Sequence, residues 1–172
     1  ERDFAYEVRD TDGMRFVDEL ERIGYRGKLP CQPRPLAGYL ELHVEQGPAL
    51  FTSGIQIGIV EGIRGLTWLR ITMKGARDHA GPTPMHMRKD ALVGAARAIS
   101  AIRDIPGNLG SDLVTTVGEI SVSPNAINVI PELVTFSVDF RHRDENILTR
   151  AHQAVVEVSG NAAKQEGLEI ER

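Results

Sequence analysis

Residues 133–141 read LVTFSVDFR, an alternation that puts Val134, Phe136, Val138 and Phe140 on one side of an extended chain and Thr135, Ser137, Asp139 and Arg141 on the other. Such a strand has to bury one face, so the fold needs an apolar layer against it. Two helical stripes can supply that layer. Ala91, Leu92, Ala95, Ala98, Ile99 and Ile102 share one face of a helix ending near Pro106–Gly107, and Ile147, Ala151, Val155, Val158 and Ala162 share another after a cap at Asp144. Leu69, Ile71 and Met73 alternate in a strand starting near Gly65, residues 113–122 form another strand, and LEIE after Gly167 a last one. Residues 126–141 read as one long β segment interrupted by Pro131. The order strand, helix, strand, strand, helix, strand predicts an α+β fold of ferredoxin-like βαββαβ type, both helices on one sheet face. Arg141 then points from the open face.

The first third of the chain is less regular. Met14, Val17, Leu20 and Ile23 predict a helix over 12–24, capped by Thr11 or Asp12 and stopped at Gly24. A proline-spaced connector at 27–35 follows, then strand-like runs at 39–44 and 55–63. The absence of an initial methionine and the strand-like end at Arg172 lead to the expectation that the chain is a piece of something longer. A net charge of −4, with no basic run interleaved with aromatics, argues against nucleic acid or an anionic membrane as the partner. No apolar stretch approaches a membrane span, and a single cysteine, Cys31, excludes an internal disulfide framework. The expected compartment is the cytoplasm.

Several polar residues stand where chemistry could be done. ELHVEQGP places His43, Glu45 and Gln46 at a strand-like end before a Gly–Pro break, and a neutral imidazole there is a candidate metal ligand. For a lone histidine the plainer reading, a partly buried ring hydrogen-bonded to backbone, prevails, and neither HExxH nor a CxxC pair supplies partners. His79 lies in DHAGPTPM, a stiff proline-containing loop suited to a polarising or proton-transferring group, though a loop histidine without a task reads the same way. His86, His142 and His152 read as surface residues. An amide and a guanidinium, Asn128 and Arg141, are a standard combination for holding a carboxylate. The plainer alternative for Arg141 is a salt bridge to Asp139 or Asp144.

Three stretches, GYLELHVEQGPAL, DHAGPTPMHMRKDALVGAA and SPNAINVIPELVTFSVDFRHRD, together resemble one family. It is the amidase, hydantoinase and carbamoylase branch of the dinuclear-metal aminoacylase and carboxypeptidase superfamily, which includes N-carbamoyl-L-amino-acid hydrolases, allantoate amidohydrolases and β-ureidopropionases. The motifs run from Gly38 to Asp144. One departure is Glu132, where glycine is the commoner residue.

The resemblance implies that His43 is a ligand of one of two divalent ions (Zn, Mn or Co). It makes Gln46 a substrate contact, Glu45 a supporting residue, and His79 the group that polarises the scissile carbonyl. Asn128 and Arg141 take the substrate carboxylate. It further implies residues 1–61 as the end of a first α/β metallohydrolase catalytic segment and 62–172 as a lid that carries a homodimer contact, with the other metal ligands and a catalytic glutamate elsewhere. The expected activity is metal-dependent hydrolysis of the ureido C–N bond of N-carbamoyl-L-amino acids, with allantoate as alternative substrate. Alone, the chain is expected to be an inert dimerising or ligand-binding module.

Overall fold

The computed structural model describes residues 4–29, 35–109 and 112–172. The chain divides into two compact units, Glu1–Ile57 and Gly58–Arg172. Cys31, with the middle of the proline-spaced connector, lies outside the described residues.

Among its described residues the first unit holds three short helices, α1 (Phe4–Glu7), α2 (Phe16–Arg22) and α3 (Ala49–Ser53). Helix α2 starts later than the expected position 12. The Asp10 carboxylate accepts from the Asp12 and Met14 N–H groups, folding 10–14 into a turn that pairs Arg9 with Arg15. Its stop is the expected Gly24, at φ +74, where Tyr25 N donates to Leu20 O and Gly24 N to Glu21 O, a Schellman ending. The strand-like runs at 39–44 and 55–63 form no strand, because neither has a ladder partner among the described residues.

The second unit carries β1 (Gly65–Lys74), β2 (Asp78–His79), α4 (Ala91–Leu109), β3 (Val114–Thr116), β4 (Ile120–Ser123), β5 (Val129–Ile130), β6 (Leu133–His142), α5 (Glu145–Gln165) and β7 (Glu169–Glu171). The main sheet runs β3–β6–β1–β7, with β4 also on β6, all pairs antiparallel. This is the ferredoxin-like order, with the expected second strand split. Val117–Glu119 interrupt it, and Glu119 O still accepts from Ser137 N. The long β segment is likewise divided, since residues 129–130 leave the main sheet to pair with 78–79.

The expected face of β6 is the core face. Val134, Phe136, Val138 and Phe140 are buried with Ile71 and Met73 of β1 and with Ala91, Ala95, Ala98 and Ile102 of α4 and Ala151, Val155 and Ala162 of α5, while Ile99, Ile147 and Val158 pack at the edge and Leu92, expected on the same stripe, is exposed. Asp144 caps α5, its side chain accepting from Asn146 N at 2.8 Å. Helix α4 does not stop at Pro106 but runs to Leu109. Proline lacks the N–H that Ile102 O would receive there. The Thr115 hydroxyl of β3 donates to that carbonyl instead, at 3.3 Å.

Candidate functional site

The six residues singled out fall into three places. In the first unit, Glu45 turns its carboxylate onto the start of α3, accepting from Leu50 N at 2.8 Å and Phe51 N at 3.4 Å. That gives Glu45 a structural task and fixes the bend that follows it. Gln46 sits within this bend at φ +52, a left-handed conformation that is costly for a side chain with a Cβ. His43 is exposed, its Nδ1 lying 2.6 Å from Val44 O. A carbonyl can only accept, so Nδ1 carries the proton and the Nε2 lone pair is free, the arrangement a single imidazole ligand needs. A metal centre takes several such ligands. Among the described residues no group of three His, Cys, Asp or Glu side chains clusters closely enough to hold an ion. These residues do not complete a metal centre by themselves.

In the second unit, His79 and Asn128 come together at the short β2–β5 ladder. His79 pairs with Val129, and Ala80 N donates to Asn128 O at 3.0 Å. The ladder extends from the end of β1, where the backbones pack closely. A Cβ at Gly75 would meet Lys89 O at 2.0 Å, so only glycine lets the chain pass. Gly81 N donates to His79 Nδ1 at 3.0 Å. That nitrogen is an acceptor, so in the neutral ring the proton sits on Nε2, which is free to donate. The contacts of the two histidines thus call for opposite tautomers.

Arg141 lies elsewhere. It is eight residues along β6 from Leu133, so roughly 26 Å from the sheet end that carries His79 and Asn128. The structure does not bring Asn128 and Arg141 together within one chain. Arg141 points from the open face, as expected, and its fork is engaged by Asp139: Nε to Oδ1 at 2.9 Å and Nη2 to Oδ2 at 2.6 Å. The Arg141 hydrogen bond holds the Asp139 carboxyl below the usual carboxylate range, against a smaller opposing effect of burial. The same bond raises the Arg141 guanidinium. Next to this pair the open face carries a groove of about 560 Å³ whose lining includes Trp68, Arg70, Thr116, Ser137 and Asp139.

A family profile described as a peptidase dimerisation domain matches residues 62–167. The chain belongs to that family. The dimerisation domain thus coincides with the α+β unit built on β6, and the resemblance read from the three motifs is borne out. An N-carbamoyl-L-amino acid amidohydrolase of Geobacillus stearothermophilus is 35% identical over 170 residues, covering 96% of this chain and 41% of that protein. An allantoate deiminase of Arabidopsis thaliana is 42% identical over 163 residues, covering 81% of this chain and 31% of its own. A solved amidase of the hydantoinase/carbamoylase family from Burkholderia multivorans superposes with a TM-score of 0.82 at 41% identity, covering 98% of this chain and 41% of its own. The chain therefore spans about two fifths or less of the length of these relatives.

Sequence reasoning missed the helix-capping use of Glu45, which spacing could have suggested, since it stands four residues before Ala49. It also missed the separation of Asn128 from Arg141. That depends on residues 129–130 leaving the main sheet, which Pro131 only hinted at.

Proposed function

We propose that this chain supplies part of the active site of an amidohydrolase that cleaves the ureido C–N bond of N-carbamoyl-L-amino acids. The observation that carries the reading is the His79 ring. Its Nδ1 is occupied by a backbone donor and the residue is exposed, leaving Nε2–H to meet an oxygen that gains charge as a carbonyl is attacked. The similarity to an N-carbamoyl-L-amino acid amidohydrolase supports the substrate class. Allantoate is the second reading, supported by the similarity to an allantoate deiminase.

Arg141 suits the substrate carboxylate. Asp139 takes the Nε edge and orients the guanidinium, leaving the Nη1 side for a second carboxylate. A ureido amino acid is far shorter than the roughly 26 Å between Arg141 and the His79 end. One chain therefore cannot apply both to one molecule. A homodimer through the lid that sets the Arg141 end of one copy against the His79 and Asn128 end of another would, and membership of a dimerisation family supports it. Asn128 then contributes its side-chain amide beside His79, and Gln46 a further substrate contact. His43 would be one ligand of a divalent pair (Zn, Mn or Co), the remaining ligands coming from outside the described residues.

The test is ammonia release from N-carbamoyl-L-amino acids, allantoate and N-acetyl amino acids. It is run on the 172-residue chain with added manganese, cobalt or zinc, and on a polypeptide of the relatives' length containing it. Turnover of ureido compounds by the longer polypeptide alone is the expected result. Turnover by the short chain would remove the reading that it holds only part of the site. Turnover of N-acetyl amino acids alone would remove the ureido assignment.

A further inference from the structure

The loop that carries His79 is held by one side chain to which neither the resemblance nor the fold assigned a task. Arg88 is half-buried just before α4. Its Nη2 donates to Ala80 O at 2.7 Å and to Thr83 O at 2.9 Å, and its Nε to Thr83 O at 3.1 Å. Among the described residues it forms no ion pair. The guanidinium is spent on backbone carbonyls of the turn that begins at His79.

The same turn is closed from inside. The Thr83 hydroxyl donates to His79 O at 2.7 Å, and Thr83 is itself buried. Ala80, one of the two residues whose carbonyl Arg88 binds, is the residue whose N–H anchors Asn128. Between Ala80 and Thr83 lies Gly81, whose N–H sets the His79 tautomer. A planar fork that binds the carbonyls on both sides of Gly81 fixes the direction of the Gly81 N–H as well. Lysine could not do this, since it offers a point charge without a fixed fork.

We propose that Arg88 is a positioning residue for His79, holding residues 80–83 so that Gly81 N–H stays on Nδ1 and the imidazole proton stays on Nε2. Its consequence for turnover rests on the reading of His79 as the carbonyl-polarising group. The structural statement does not.

The experiment is ¹⁵N NMR of the histidine side chains in the 172-residue chain, which assigns protonated and unprotonated ring nitrogens without any substrate. His79 of the unaltered chain should show Nε2 protonated and Nδ1 bare. In Arg88→Gln the ratio should move toward the Nδ1–H form by about fivefold, the scale of one lost hydrogen bond. Arg88→Lys should fall between, and it serves as the reading should the glutamine variant not fold. Asp90→Ala is the control. It removes the side chain that caps α4 through Leu92 N and Val93 N, loosening the same segment without touching the turn. An unchanged His79 ratio in both Arg88 variants overturns the proposal, as does an equal change in Asp90→Ala. Because no substrate is used, failure of the ureido assignment would leave this result standing, and failure here would leave the substrate panel standing.

Discussion

The two units use similar residue types to opposite effect. In the second, Phe136 is 1% exposed and sits in a core shared by two strands and two helices. In the first, Val17 is the one buried apolar residue among those described, while Leu42 is 95% exposed. What order the first unit has comes from local polar contacts: the Asp10 turn, the Glu45 contact with α3, and Arg15 held between Glu7 and Asp18. Exposed ion pairs of that kind are worth little. A shared core joins the elements of the second unit, whereas the described residues of the first show no common interior.

That contrast can be tested most directly by truncating one large apolar side chain in each unit. Phe136→Ala should destabilise the chain by about 3–5 kcal/mol, through lost burial and the cavity left behind. Leu42→Ala should cost under about 0.5 kcal/mol, because its side chain has little contact to lose. Urea denaturation followed by circular dichroism reads both. A Leu42→Ala cost close to that of Phe136→Ala would mean that 39–44 is packed after all, and the comparison would fail.

A smaller effect sharpens the account of how the second unit is joined. Thr115→Val keeps the shape of the side chain but leaves Ile102 O without its donor, so a loss of ~1 kcal/mol is expected. Pro106→Ala restores a backbone N–H at the position that should supply that carbonyl. In a double-mutant cycle the Thr115→Val cost should therefore shrink in the Pro106→Ala background. An identical cost in both backgrounds would show that the hydroxyl does not stand in for the missing helix bond.

The same division explains what could be read from sequence. Alternation in 133–141 and the two helical stripes were legible because each records a face that this chain itself buries, as Val134, Phe140, Ala98 and Val155 do. The runs at 39–44 and 55–63 have strand-like composition without a ladder, and composition cannot say where a partner strand comes from. For the candidate site, His43, His79, Asn128 and Arg141 could be picked out as candidates, since the chemistry that suggests them is in the side chain. Their arrangement could not. The opposite tautomers called for at His43 and His79 depend on a carbonyl at one ring and the Gly81 N–H at the other, and backbone direction has no letter in the sequence. Likewise, the distance from Asn128 to Arg141 follows from a change of ladder partner between Ile130 and Leu133.

The finest test concerns the open face, where the second unit comes to resemble the first in relying on a half-exposed ion pair. Asp139 has its folded-state pKa lowered by the Arg141 hydrogen bond. A group of this kind stabilises the fold above its unfolded pKa of about 3.9, and the contribution is lost as pH falls through the lower folded value. The stability gap between the unaltered chain and Asp139→Asn should then be constant from neutral pH down to about pH 4 and close below it. Its size should be smaller than the Thr115→Val effect, because water screens a pair with 27% and 47% of its side chains exposed. Thermal melts at stepped pH and fixed salt measure it. A gap that widens on acidification would mean that Asp139 is strained beside Arg141, and the carboxylate could not then be the group that orients the guanidinium for a substrate.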